Sequence, residues 1–137
     1  MNSAFGRSPW RTFALVGGAV VSASMNYSVT FISFGEIQDT FAAGPAATSW
    51  VLNAFAITVI ALLIPSGWVS DRFGRRRMFL IGVALLAVGS LLVATAPTLP
   101  ILIAARVVQA AGLALEGPAA MAILLDAFST ERRSTAV

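Results

Sequence analysis

The 137-residue chain contains no cysteine, no histidine and no lysine, and only 11% of its residues are charged. Without cysteine there is no disulfide framework and no thiolate metal site. Without histidine the chain lacks the commonest metal ligand and the side chain that titrates near neutral pH. The sequence also has no nucleophile–base pair and no phosphate-binding glycine loop. It therefore predicts no enzyme, no catalytic residue, and neither a metal site nor a cofactor site.

Apolar residues are what the chain has in abundance, at 58% of the sequence and a mean hydropathy of +0.85. Soluble domains typically carry about 25% charged residues, and so short a chain has too small an interior to bury this much apolar surface. The composition predicts an integral membrane protein with the lipid bilayer as its partner. The net charge of +3 comes from arginines that mostly flank apolar runs, which favours membrane topology over nucleic-acid binding.

Four apolar runs are long enough to cross the membrane as helices, which takes ~20 residues each. The predicted spans are residues 12–34, 46–68, 78–96 and 100–124. Residues 35–45 read as a polar connection, 69–77 as a charged loop, and 125–137 as a polar tail. Strands of a membrane barrel would be shorter and alternating. The predicted fold is an all-α integral membrane protein with four transmembrane helices.

The placement of arginine predicts the orientation of these helices. Cytoplasmic connections carry an excess of positive residues. With the N-terminus inside, the outer connections carry no arginine, and the arginines outside the spans are all cytoplasmic: Arg7, Arg11, Arg72, Arg75, Arg76, Arg77, Arg132 and Arg133. Both termini are therefore predicted to be cytoplasmic, in a multi-pass protein of a bacterial inner or plasma membrane.

The loop between the second and third spans reads GWVSDRFGRRR over residues 67–77. Gly67 is expected to permit close helix approach, and Gly74 to allow a turn with positive φ. Asp71 is expected to pair locally or to face a helix N-terminus. The arginines hold the loop at the anionic cytoplasmic surface. For the arginines alone, simple topological marking explains the pattern equally well.

As a whole, this loop resembles the signature G-x-x-x-D-R-x-G-R-R-[KR] of the major facilitator superfamily. The matching residues are Gly67, Asp71, Arg72, Gly74, Arg75 and Arg76. The stretch RVVQAAG from Arg106 is similar to the fourth-helix motif R-x-x-Q-G-x-G of the fourteen-helix drug:proton antiporter branch, with Ala110 replacing the first glycine. That branch usually has D-x-T in its first helix. Here Asn26 occupies the acid's place.

The resemblance implies a secondary active transporter, driven by the proton gradient without a cofactor, that exports small, drug-like molecules by alternating access. It covers about the first third of such a transporter. The chain is therefore expected to be an N-terminal part, with a small-molecule substrate and the remaining helices as partners and the Asp71 loop at the inner gate. On its own it is expected to transport nothing.

Two alternatives stand beside this interpretation. A complete four-helix small multidrug transporter acting as a dimer would fit the length. Such a transporter usually has a coupling glutamate in its first helix, which is absent here, and lacks a strong arginine asymmetry. A non-transporting membrane remnant is the second alternative, and the sequence downstream of Val137 would distinguish it.

Ionisable residues inside spans are functional candidates because their burial is costly. Helical steps of ~100° place Gln109 near the face of Arg106 and Glu116 about 80° away, so Arg106 and Glu116 are not expected to pair directly. Arg106 either snorkels to the outer surface or faces a central cavity, where it serves proton coupling or substrate charge. Glu116 either dips into the cytoplasmic headgroups or is a titratable carboxylate that replaces the acid missing at Asn26.

Uncharged polar residues form a stripe along the first span at intervals of three and four. The stripe consists of Ser22, Asn26, Thr30 and Ser33. Asn53 is the corresponding polar residue of the second span. These side chains are expected either to form interhelical hydrogen bonds or to line a substrate cavity.

Overall fold

A computed structural model describes the backbone of residues 9–134. It describes their side chains except at 9–13, 15, 19, 20, 22, 23, 26, 27 and 124–134. All regular structure in this part of the chain is helical. The helices are α1 (Pro9–Ile32), α2 (Phe34–Phe41), α3 (Pro45–Phe73), α4 (Arg75–Ala94) and α5 (Leu99–Ser134).

Three of the described helices are long and apolar enough to cross a membrane. They are α3 with 29 residues, α4 with 20, and the Leu99–Ile123 part of α5 with 25. At 1.5 Å per residue these correspond to about 44, 30 and 38 Å, against a hydrocarbon core of about 30 Å. The predicted span at residues 12–34 falls mainly on α1. Many α1 side chains lie outside the described residues, so this span stays a prediction.

The connection predicted at residues 35–45 is largely helical in the structure. Phe34, Ile37 and Phe41 recur at helical spacing and are half-buried along α2, which explains why this polar segment still folds as a helix. Ser33 is the break between α1 and α2. Ala42 closes α2 in the left-handed conformation, with φ of 46°, and only then does the chain turn into α3.

The loop predicted at residues 69–77 reduces to a single residue, Gly74, between α3 and α4. Its φ of +96° is the positive value that the sequence predicts for this glycine. Gly74 N–H donates to Ser70 O at 3.1 Å, and Met78 N–H donates to Gly74 O at 3.1 Å. The helical hydrogen-bond ladder therefore continues on both sides of the turn, and the charged residues sit on helix ends.

The outer face of the bundle is apolar. Ile60 is 72% exposed, Ile64 is 85% exposed and Leu91 is 68% exposed. A water-soluble protein avoids contiguous apolar surface of this kind, whereas lipid accepts it as long as each helix satisfies its own backbone hydrogen bonds. The arrangement is that of a membrane protein, with polar side chains inside and apolar ones outside.

The contact between α4 and α5 is close because glycine lies on both sides of it. A Cβ on Gly82 would lie 2.8 Å from Gly112 O and 2.7 Å from Glu116 N, and one on Gly89 would lie 2.7 Å from Gln109 Cα. No larger residue fits there without moving a backbone. Small residues at helix interfaces permit such approach in membranes. The buried face of α5 is accordingly rich in alanine, at Ala105, Ala110, Ala114, Ala119 and Ala120.

Substituting alanine for Gly112 should destabilise the protein. A Cβ there would lie 2.5 Å from Leu86 N and 2.7 Å from Gly82 O, so α4 and α5 must separate. Overpacking of this kind costs about 1–3 kcal/mol. The measurement is the thermal-unfolding midpoint of the full-length gene product in detergent.

Gly117→Ala is the matched control, because a Cβ there meets nothing within 4 Å in the described part of the chain. Its midpoint should stay unchanged or rise, since alanine is favoured over glycine in a helix by about 0.5–1 kcal/mol. Equal losses in the two variants would contradict the close contact.

Candidate functional site

The centre of the candidate site is Arg106 on α5, which is 6% exposed. Its Nη1 donates to Oε1 of Gln109 at 2.8 Å. The two residues are three apart, the spacing that places side chains on one helix face, and their proximity agrees with the face predicted from the sequence. Burial excludes water from this bond, so the guanidinium is held by protein groups.

A serine of α4 completes this arrangement from the neighbouring helix. Gln109 Nε2 donates to Ser90 Oγ at 2.8 Å, and Ser90 Oγ donates to Leu86 O at 2.8 Å. The sequence reasoning did not identify Ser90. A signal was present, because Ser90 is the one polar side chain between Met78 and Ala94.

Helices α1 and α3 provide the other side of the site. A small pocket is lined by Thr30, Val51, Leu52, Phe55 and Arg106. The guanidinium carbon of Arg106 lies 5.8 Å from the centroid of the Phe55 ring, within the range of a cation–π contact. Thr30 was predicted as a cavity-lining or hydrogen-bonding residue, and the structure places it, 3% exposed, in this pocket.

Glu116 lies further along α5 and is 1% exposed. Ten residues separate it from Arg106, which is about 15 Å along the helix axis, so the two charges are not a direct pair. The backbone of Glu116 packs against Gly82 of α4. Its Oε2 is buried and has no hydrogen-bond partner among the described residues. A second polar position, separate from the Arg106 pocket, therefore exists in the bundle.

The charged residues around Gly74 lie at the exposed ends of α3 and α4. Arg75 Nε lies 3.2 Å from Asp71 Oδ1, an ion pair one helical turn apart across the Gly74 bend. The guanidinium of Arg72 lies 5.4 Å from the Trp68 ring centroid. The expected local pairing of Asp71 is thus present. Arg76 is exposed beside this pair.

The close helix approach predicted at Gly67 is not formed by the helices that the structure describes, and its role stays a prediction. A Cβ added at Gly67 would meet nothing within 4 Å in the described part of the chain. The close approaches occur at Gly82, Gly89 and Gly112 instead. These three glycines lie on α4 and α5, whereas Gly67 lies on α3.

The remaining candidates are dispersed. Ser33 lies at the α1–α2 break and makes no capping hydrogen bond through its side chain. Asn53 is exposed on α3. The side chains of Ser22 and Asn26 lie outside the described residues. Among the described residues, no group of three or more metal-ligating side chains occurs.

The sequence matches the Major Facilitator Superfamily over residues 15–137. Because this match covers nearly the whole chain, the protein belongs to that superfamily. Its relatives are transporters and not enzymes. Together with the three apolar helices of the structure, this makes it a multi-pass membrane protein. The family resemblance inferred from the Asp71 loop is confirmed.

The relatives include an uncharacterized transporter and two proteins named for resistance. The chain is 33% identical over 113 residues to an uncharacterized MFS-type transporter, EfpA, of Mycobacterium tuberculosis, covering 82% of this chain and 21% of the relative. It is 34% identical over 118 residues to a lincomycin resistance protein of Streptomyces lincolnensis, covering 86% and 24%. It is 30% identical over 129 residues to a tetracenomycin C resistance and export protein of Streptomyces glaucescens, covering 94% and 24%. The chain spans about a quarter of the length of these curated relatives.

Breaking the Asp71–Arg75 ion pair should hardly affect folding stability. Both side chains are largely exposed, and exposed pairs of this kind contribute about 0.2–1 kcal/mol. Asp71→Asn and Arg75→Gln should each lower the thermal midpoint far less than Gly112→Ala does. The opposite result would be a fall in midpoint as large as that of Gly112→Ala and unchanged at higher salt. It would show that the pair has a buried structural role.

Proposed function

We propose that this chain forms the first membrane-spanning helices of a secondary active transporter that exports small, drug-like molecules in exchange for protons. The observation that carries the proposal is the buried guanidinium of Arg106 beside a pocket in an apolar helical bundle. Ionisable residues inside membrane spans mark substrate and ion pathways. The resistance and export named for two relatives support small organic molecules as the cargo.

The proposed mechanism is alternating access between two helical bundles around a site near the membrane midplane. The helices described here supply part of one bundle, and the remaining helices of the transporter would complete that bundle and form the other. Arg106 and Thr30, which line the pocket, would contact substrate there, and Gln109 would hold the guanidinium of Arg106. The exposed position of Asp71 and the arginines at the α3–α4 turn supports a role at the inner gate, where they are accessible to the second bundle.

Glu116 is the proposed proton carrier. Between residues 78 and 123 the charged residues are Arg106 and Glu116 alone. A buried carboxylate without a hydrogen-bond partner is costly as an anion, and taking up a proton removes that charge. Its buried position on α5 and its unpartnered Oε2 among the described residues support this role. Asn26, which stands where the antiporter branch has an acid, would then provide a neutral contact.

Replacing Glu116 by glutamine should abolish proton-driven efflux without unfolding the protein. The amide copies the protonated acid in shape but cannot release a proton. In inverted vesicles that contain the full-length gene product, we expect ethidium transport driven by a pH gradient to fall at least about 100-fold, the lower end of the loss expected for an essential proton-transfer group. Transport of ethidium down its own gradient should persist.

The matched control is Glu36→Gln, because Glu36 is an exposed carboxylate on α2. That variant should transport at the wild-type rate. If Glu116→Gln retained full pH-driven transport, Glu116 would be excluded as the proton carrier. If neither the wild type nor the control transported ethidium, a different substrate class would be required.

We further propose four spans with both termini in the cytoplasm of a bacterial cell. The distribution of arginine supports this orientation. The connection that contains α2 has no arginine, whereas Arg75, Arg76 and Arg77 lie at the start of α4. Positive residues are retained on the cytoplasmic side. In this orientation the Arg106 pocket lies toward the outer half of the bundle, and Glu116 lies toward the inner half.

Single cysteines can test this orientation directly, because this part of the protein has none of its own. Thr40→Cys on α2 should react with a membrane-impermeant maleimide added to intact cells. Phe73→Cys, at the exposed end of α3, should react only after the membrane is permeabilised. The reverse labelling pattern would invert the proposed topology.

A further inference from the structure

Ser90 has a hydrogen-bonding geometry that none of the roles above uses. A serine hydroxyl carries one proton and can accept further bonds through its lone pairs. That proton is directed to Leu86 O on the same helix, at 2.8 Å. Toward α5, Ser90 Oγ therefore acts as an acceptor, and the amide nitrogen of Gln109 lies 2.8 Å from it.

This acceptor determines which way the Gln109 amide faces. The Nε2 group has to turn toward Ser90, which leaves Oε1 directed at Arg106 Nη1, 2.8 Å away. Arginine has donors and no acceptor, so it needs the amide oxygen as its partner. The bond to Arg106 and the bond to Ser90 therefore require the same orientation of the Gln109 amide. Gln109 is 1% exposed, and water does not compete for these bonds.

The three hydrogen bonds form one chain with a single direction. Arg106 donates to Gln109, Gln109 donates to Ser90, and Ser90 donates to Leu86 O. Hydrogen bonds aligned in this way polarise and strengthen one another. The chain connects the cation on α5 to the backbone of α4. The close backbone contact at Gly89, adjacent to Ser90, brings the two helices near enough for it to form.

We infer that Ser90 is a positioning residue for Arg106, acting through Gln109 to hold the guanidinium beside Phe55 and the pocket. The inference rests on the proposed transport function, because the guanidinium matters for transport only if the pocket receives substrate. Its geometric part, that the Ser90 hydroxyl keeps Arg106 in place, can be measured without transport.

The test compares Ser90→Ala, Ser90→Thr and Thr95→Ala in the full-length gene product. Thr95 is the matched control, since its hydroxyl also donates to a carbonyl of α4, Leu91 O at 2.9 Å, but it is exposed at the end of the helix. The first readout is pH-driven ethidium transport in inverted vesicles. The second is the rate at which phenylglyoxal modifies Arg106 in detergent, followed by mass spectrometry.

Ser90→Ala should lower transport about 3- to 10-fold, the range of one hydrogen bond, and should raise the rate of Arg106 modification by a similar factor. Ser90→Thr retains the hydroxyl and should stay near wild type, as should Thr95→Ala. In a Gln109→Leu background, Ser90→Ala should add less than about a twofold further change, because residues in one network are not additive.

The inference is overturned if phenylglyoxal modifies Arg106 of the Ser90→Ala variant at the wild-type rate, or if Thr95→Ala raises that rate equally. It is also overturned if the effect of Ser90→Ala is undiminished in the Gln109→Leu background. Absence of pH-driven transport in the wild type would instead refute the proposed function. In that case the phenylglyoxal rates alone decide whether Ser90 positions Arg106. A midpoint of thermal unfolding close to wild type confirms that each variant is folded.

Discussion

Glycine on both sides of the α4–α5 contact lets the two helices approach to a distance at which no Cβ fits. This contact places Gln109 within reach of Ser90 and packs the backbone of Glu116 against Gly82. Without hydrophobic attraction between helices in lipid, such packing and interhelical hydrogen bonds are the main sources of association. The hydrogen bond from Gln109 to Ser90 depends on this approach, since moving the two helices apart by the width of a methyl group would take Ser90 Oγ out of reach of Gln109 Nε2.

The membrane explains why a bundle this apolar outside carries so many polar groups inside. Buried polar side chains occur at Thr30, Thr48, Ser66, Ser70, Arg106, Gln109 and Glu116. Two of them bond to a carbonyl three or four residues earlier in the chain: Thr48 Oγ1 donates to Gly44 O, and Ser66 Oγ donates to Leu63 O. Such bonds satisfy the hydroxyl locally and need no partner helix. The Arg106–Gln109–Ser90 chain is different, because it crosses between helices and therefore fixes their relative position.

The features that sequence predicted well are local ones. Uniform hydropathy predicted the helices α3, α4 and α5. The charged turn predicted the positive φ of Gly74, and helical periodicity predicted that Gln109 lies beside Arg106. What it missed depends on how helices meet. The close contacts at Gly82, Gly89 and Gly112 were not predicted, and neither was the role of Ser90. Periodicity gives the face of one helix, whereas the register between two helices depends on packing that no single helix encodes.

The same contact limits how the two buried charges can communicate. Arg106 and Glu116 lie on one helix, about 15 Å apart along its axis, and α4 is joined to both parts of α5 through Gly89 and Gly82. Interfaces this tightly packed are not continuously deformable, so on the proposed function α4 and α5 are expected to move as one unit. Coupling between a proton at Glu116 and substrate at the Arg106 pocket would then require other helices to move against α4 and α5. The pocket is formed where α1 and α3 meet α5, and its shape changes whenever either of them shifts against the fixed α4–α5 unit.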